Sequence, residues 1–139
     1  FPIYLAAPDF SYVDRTQIDL IDDSLKYHNF VARRPVQENG QCNADTSPEH
    51  RQKMCDADVK ILDECRVLLA VLLFNDPGTL IEIGLAVERG MPVIVFDPYR
   101  IADNLMLTQL PDLVSSNIDE VINCVFQVVA KEWVEDGKP

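Results

Sequence analysis

From Val67 to Phe74 the chain carries eight consecutive apolar residues. A strand in that run is apolar on both faces and has to be covered on both sides, as strands of parallel sheets are. Pro2–Ala6 and Pro92–Phe96 read as two more such strands. Helical patterns separate them. Tyr12 to about Tyr27 sets Ile18, Ile21 and Leu25 on one face. Ser47-Pro48-Glu49 is a helix start, with Ser as N-cap and Pro at the first position, and that helix runs to about Cys65. Thr79–Arg89 is a helix closed by Gly90. Phe30–Val36 is expected to be a strand and Gln37–Thr46 a loop. Asp97–Pro111 reads as irregular, with one helical turn near Asn104–Leu107. Leu113–Ser115 reads as a short fifth strand and Ile118 to about Val134 as the closing helix. Strands alternating with helices predict one α/β domain over residues 1–139, its parallel sheet covered on both faces. Ligands of such sheets sit beyond the carboxyl ends of the strands. That points to Ala7–Ser11, Gln37–Thr46, Phe74–Thr79 and Asp97–Leu107.

Charge and motif content narrow the function. The net charge of −11 repels phosphate backbones, and Arg33–Arg34 is an isolated pair, so nucleic-acid binding is discounted. The apolar runs are too short to cross a bilayer, and no secretory signal is evident, so a cytoplasmic protein is expected. Cys42, Cys55, Cys65 and Cys124 show no CxxC or zinc spacing and read as reduced thiols, three of them in or near the core. His28 and His50 lack partners at ligand spacing and read as surface or cap residues. Neither the cysteines nor the histidines point to a metal, and no cofactor is expected. With five glycines and neither GxxxxGK[ST] nor GxGxxG, the chain lacks the glycine-rich phosphate motifs.

Two carboxylates are out of pattern. Glu82 is the only charged residue in Leu80–Val87, where burial is costly without partners and a helix N-terminus favours negative charge. A solvent-facing glutamate is the alternative. Asp58 shares a helix face with Met54, Ile61, Leu62 and Cys65, where a Leu would be expected. An acid at the stripe edge, or one paired to Arg15, is its alternative. Asp76 stands in a turn before a helix, where Asp also occurs simply as a cap. Tyr4 lies in a buried strand, and its hydroxyl needs a partner that a carboxylate would supply. Phe10 is loop packing or an aromatic face for a flat ring. Paired carboxylates at one crevice end suit glycosyl transfer, with phosphoryl transfer and metal binding still open on this pattern alone.

These residues also carry a resemblance. Ile3-Tyr-Leu-Ala-Ala-Pro8-Asp-Phe10 is similar to the opening IYLAGPxF of the nucleoside 2-deoxyribosyltransferase family. Asp58-Val-Lys-Ile-Leu62, followed by Arg66-Val-Leu-Leu-Ala70, resembles its D-x-x-x-[IL]-x-x-x-D-[VIL]-[VIL] segment. Asp76-Pro-Gly-Thr-Leu-Ile-Glu82-Ile-Gly-Leu-Ala86 resembles its D-x-G-T-x-x-E-x-G-x-A signature. Arg89-Gly-Met-Pro-Val-Ile94 is similar to its G-K-P-V-I turn, and Asn104-Leu-Met106 to its N-L-M segment. The resemblance implies a flavodoxin-like doubly wound sheet of about five mainly parallel strands. It implies Glu82 as the nucleophile on C1′, Asp58 as the proton carrier at the base, and Tyr4 as the group orienting Glu82. Asp76 would accept the 5′-hydroxyl of the sugar, Gly78 would be a further substrate-binding residue, and Phe10 would line the base site. Asn104 and Met106 would complete a neighbouring subunit's pocket in a homo-oligomer, from dimer to hexamer.

Departures from the pattern are Ala7 for the usual Gly, Arg66 for an Asp, and Met91 for a Lys. Lys131–Pro139 has no clear counterpart of the C-terminal residues that close the site in some members. Base-recognition residues within 35–46 are not assigned. The expected reaction is retaining double displacement between a deoxynucleoside and a free nucleobase, with some hydrolysis. One rival is a nucleoside 5′-monophosphate N-glycosidase using the same glutamate. Asp76 argues against it, because a phosphate needs a donor there. The other rival is a non-catalytic nucleoside- or nucleotide-sensing module.

Overall fold

The computed structural model describes residues 2–135. In chain order the elements are β1 (Pro2–Ala6), α1 (Thr16–Tyr27), β2 (Val31–Arg33), α2 (Pro35–Asn39), α3 (Pro48–Glu64), β3 (Val67–Val71), α4 (Pro77–Glu88), β4 (Val93–Phe96), α5 (Leu105–Gln109), β5 (Leu113–Ser115) and α6 (Ile118–Glu135). The five strands form one sheet in the order β2-β1-β3-β4-β5. Every pairing is parallel, with Tyr4 opposite Leu68 and Leu68 opposite Val93. This is the flavodoxin-like strand order. Of the divergent stretch Lys131–Pro139, residues 136–139 lie outside those described.

Strand alternation sorts the core into two layers. On one face Ile3, Leu5, Val67, Leu69, Val71, Ile94 and Phe96 pack against Ile18, Ile21 and Leu25 of α1 and Val121, Ile122 and Val125 of α6. On the other, Tyr4, Ala6, Leu68, Ala70, Leu72, Val93 and Val95 pack against Ile61 and Leu62 of α3 and Ile83 and Ala86 of α4. Each fully buried Leu or Ile contributes roughly 1.5–3 kcal/mol by leaving water. All five residues of β3 are buried, which is why its sequence has no polar position. Tyr4 therefore belongs to the α3/α4 layer, together with Asp58 and Glu82.

Local chemistry sets the element ends. Ser47 caps α3 by accepting from His50 N at 3.1 Å, with Pro48 at the first position. Gly90 follows α4 at φ +73°, a left-handed conformation, and its N–H donates to Val87 O at 3.0 Å. A Cβ at Gly90 would meet nothing within 4 Å, so the penalty for a side chain there is purely backbone. Gly90→Ala is expected to lower stability by about 1 kcal/mol, read as a reduced urea midpoint at unchanged slope.

Three expected boundaries move: the helix expected from Thr79 begins at Pro77, directly after its cap Asp76, and two others shift further. The helix expected from Tyr12 begins at Thr16, because Asp14 Oδ1 accepts from Thr16 N at 3.0 Å and Thr16 Oγ1 at 2.6 Å and so forms the turn before it. The strand expected over Phe30–Val36 ends at Arg33. Pro35 has no N–H to give a sheet ladder and starts α2 instead, which takes Pro35 and Val36 from the expected strand and residues 37–39 from the expected loop. The expectation of three cysteines in or near the core also fails. Cys65 is buried and Cys124 half-buried, whereas Cys42 and Cys55 are exposed. No helix among the described residues is long and apolar enough to cross a membrane.

Candidate active site

A cavity of about 390 Å³ opens beyond the carboxyl ends of β1 and β3, between α3, α4 and the segment from α2 to Cys42. Tyr4, Phe10, Asp58, Asp76, Gly78 and Glu82 all line it. Six of the eight residues singled out from the sequence therefore meet in one place.

Glu82 sits in the second turn of α4, where the helix turns one face to β1 and β3 and the next to the cavity. Its carboxyl is pushed up to about 7, first by burial, then by the nearby Asp58 and Asp76 charges. The Tyr4 hydroxyl donates to it and works in the opposite direction, favouring the ionised form. Tyr4 itself is 1% exposed, and burial together with the facing Glu82 carboxylate keeps its hydroxyl protonated far above the ordinary tyrosine range. The solvent-facing alternative for Glu82 is thus set aside: the residue has a buried hydrogen-bond partner and a perturbed acidity in a cleft.

Asp58 is half-buried and is held by Asn39, whose Nδ2 donates to Oδ1 at 2.9 Å. Burial is the first cause that pushes its pKa up, Glu38 adds to that, and the Asn39 hydrogen bond opposes both. Arg15, considered as its partner from the sequence, instead faces Asp9 at 3.9 Å. Asp76 does act as a cap. Its Oδ2 accepts from Thr79 N at 3.0 Å and from Thr79 Oγ1 at 2.7 Å. Among the described residues Oδ1 carries no hydrogen bond, so capping and contact with a ligand are compatible. A Cβ on Gly78 would stand 3.5 Å from Asp76 Oδ2 and 4.0 Å from Glu82 Oε1, so its absence leaves the approach to both carboxylates open.

The opposite wall is aromatic and polar. Phe10 stacks on Tyr12 with ring centroids 5.5 Å apart and planes 11° from parallel. Gln41 ties this loop to the next, accepting from Ser11 N at 2.9 Å and donating to Ser11 Oγ at 3.1 Å. The sequence places Asn39, Gln41 and Cys42 in the ligand-side segment Gln37–Thr46 without singling them out, and it misses Arg51 and Cys55 altogether. Pro35 at a helix start and Gly40, at φ +90°, just after the helix end were the signals for α2.

Asn104 and Met106 are not brought to this cavity within one chain. Asn104 caps α5 by accepting from Met106 N at 3.0 Å and Leu107 N at 3.1 Å. Both residues line a separate cavity of about 610 Å³ on the other side of α4, with Leu80, Ile83 and Val87. Leu105 and Met106 are 75% and 64% exposed. No group of three or more His, Cys, Asp or Glu able to hold a metal ion occurs among the described residues.

The sequence matches the family model described as nucleoside 2-deoxyribosyltransferase over residues 3–123. No curated protein sequence matches the chain. Among solved structures, a 2-deoxyribosyltransferase from Bacillus psychrosaccharolyticus superposes with a TM-score of 0.76 at 22% identity, covering 88% of this chain and 91% of that one. A conserved protein from Enterococcus faecalis V583 gives 0.73 at 21% identity, covering 91% and 97%. The CMP N-glycosidase BcmB of Clostridium botulinum gives 0.58 at 19% identity, covering 91% and 98%. These likenesses show a shared fold. With that fold, and with the family model spanning most of its length, the chain belongs to the nucleoside 2-deoxyribosyltransferase family.

Proposed function

We propose that the protein exchanges the base of a 2-deoxynucleoside through a covalent Glu82–deoxyribosyl intermediate. The observation that carries this reading is the partly buried Glu82 carboxyl, hydrogen-bonded by Tyr4 and sharing one cavity with Asp58 and Asp76. Ionised Glu82 attacks C1′, and the C1′–N bond breaks as Asp58 protonates the departing base. A second base then attacks C1′ from the face the first one left, Asp58 takes its proton, and Glu82 is released with configuration retained. Water in place of the second base gives hydrolysis. Asp76 Oδ1 accepts the 5′-hydroxyl, and Phe10 offers its ring to the base.

The proposal extends to assembly. Copies of the chain associate through the α4/α5 side, so that Asn104 and Met106 reach a neighbour's cavity. The exposure of Leu105 and Met106 beside an apolar cavity supports this.

The CMP N-glycosidase likeness keeps a second reading in play, hydrolysis of a nucleoside monophosphate. Asp76 disfavours it, because a phosphate placed there would meet a carboxylate. Deoxyinosine plus adenine, tested beside deoxycytidine monophosphate alone, separates the two. Exchange in the first mixture is expected, and a 2′-fluoro-2′-deoxynucleoside offered separately should leave a 2-fluoro-2-deoxyribosyl adduct on the peptide containing Glu82. Sugar phosphate released in the second mixture, with no exchange in the first, would sink the transferase reading. A sensing module would show neither reaction and would keep its cellular effect in Glu82→Ala.

A further inference from the structure

Asn39 makes the hydrogen bond that fixes Asp58, and the short helix carrying it is fastened at several points. Arg33 Nε and Nη2 donate to Glu38 at 2.8 and 2.7 Å, and Arg33 Nη1 donates to Glu64 at the end of α3 at 2.9 Å. Arg34, the residue before α2, donates to Asp9 through Nε and Nη2, both at 2.8 Å, and to Asp22 through Nη1 at 3.0 Å. Gly40 then turns the chain back over Met54 of α3. Of the residues of α2, Glu38 and Asn39 are the two that act on Asp58.

We propose that Asn39 is the positioning residue for Asp58: it occupies Oδ1, so that Oδ2 faces the departing base. This rests on the reading of Asp58 as the proton carrier. A carboxyl free to rotate would present either oxygen to the base and would hold its proton at a variable distance from the nitrogen that needs it. General-acid transfer depends on that geometry before it depends on acidity.

The surroundings make Asn39 matter. Glu38 faces Asp58 from α2. Tyr4 from β1 and Glu82 from α4 feel its charge across the cavity. Cys55 and Arg51, on its own helix, line the same cavity. The Arg51 guanidinium donates to the backbone carbonyls of Asn43 and Thr46. Burial and Glu38 both favour the protonated form of Asp58, and the Asn39 amide favours the ionised one. Losing Asn39 therefore leaves Asp58 both less well aimed and a weaker acid.

The test uses the full chain with Asn39→Ala and the isosteric Asn39→Asp, each checked for folding by its melting curve. The first readout is the carboxyl-carbon resonance of Asp58 followed through a pH titration. Its midpoint is expected to move upward in both variants, and an unmoved midpoint overturns the proposal. The second readout compares deoxyinosine with 7-methyl-2′-deoxyinosine, whose base carries its positive charge before it leaves and needs no proton. Asn39→Ala is expected to slow deoxyinosine cleavage by roughly tenfold or more, the scale of one hydrogen bond to a charged group, and the methylated substrate by less than about threefold. Equal losses on both substrates would mean a merely structural role and overturn the proposal. If the parent protein cleaves neither substrate, the deoxyribosyl-transfer reading fails, and the Asp58 titration still decides whether Asn39 sets that carboxyl.

Discussion

Glu82→Gln will lower base exchange by roughly 10⁴-fold or more while making the folded protein more stable at alkaline pH. The two effects have one cause. Gln keeps the shape and can accept from Tyr4, but it cannot bond covalently to C1′ and return as a leaving group. Its stability effect follows from the Glu82 carboxyl being pushed up to about 7, from an ordinary value of 4.5. A group raised on folding resists ionisation in the folded state. The unfolded chain ionises first, so the charge begins to oppose folding above pH 4.5, and the cost is complete above pH 7. The shift sets a ceiling of about 3 kcal/mol, and contact with the open cavity reduces it to about 2. Urea melts should therefore show Glu82→Gln equal to the parent at pH 4 and more stable by about 2 kcal/mol at pH 8. The parent kcat/KM should rise with pH along a limb centred near 7, as the nucleophile ionises. Glu82 and Asp58 interact, so that midpoint belongs to the pair. A Glu82→Gln variant that retains exchange would remove Glu82 from the nucleophile's role.

The sheet was readable because its strands are buried on both faces. Val67–Val71 has no polar residue, and the alternation in Ile3-Tyr4-Leu5-Ala6 divides between the two helix layers. Glu82 and Asp58 were readable for the converse reason, as acids on stripes that should have been apolar. What stayed hidden was non-local. β2 is a three-residue edge strand, 53% exposed at Val31, so its hydrophobic pattern is weak and Pro35 decides where it stops. Asn39 meets Asp58 across 19 residues of chain, and no periodicity within either segment encodes that contact. Asp76 shows another limit. Its capping bond to Thr79 is a local property that any turn of this composition could make, and only the fold sets its other oxygen in a cavity with Glu82. The family resemblance supplied the link between such residues, because it carries spacing over the whole crevice rather than within one element.

Arg34→Ala will be the most destabilising arginine substitution at this end of the sheet, and its neighbour Arg33 provides the internal comparison. The sequence presents both as an isolated basic pair, yet their surroundings differ. Arg34 is 15% exposed and faces Asp9 and Asp22, which are 5% and 6% exposed. Its guanidinium is held protonated well above its ordinary range, chiefly by the hydrogen bonds to Asp9. Removing it leaves two buried carboxylates with poorer partners: Arg15 at 3.9 Å from Asp9, and the exposed Lys26 at 3.3 Å from Asp22. Asp22 Oδ1 already has no hydrogen-bond partner among the described residues, so the loss adds to a carboxylate that is incompletely satisfied. Breaking a buried pair of this kind costs about 3–5 kcal/mol, and the residual contacts place Arg34→Ala near 3. Arg33 pairs with Glu38 and Glu64, which are 37% and 46% exposed, so Arg33→Ala should cost about 1 kcal/mol or less. Urea midpoints should then differ by roughly 1 M between the two variants, with Arg34→Lys lying between them because it keeps the charge but not the two-pronged contact with Asp9. The consequence reaches the site, since Asp9 precedes Phe10 and Arg34 precedes α2: the same guanidinium sets the spacing of two cavity walls. Arg34→Lys should therefore raise KM more than it lowers kcat. Equal costs for Arg33→Ala and Arg34→Ala would show that burial of the partners, on which this ranking depends, does not govern these pairs.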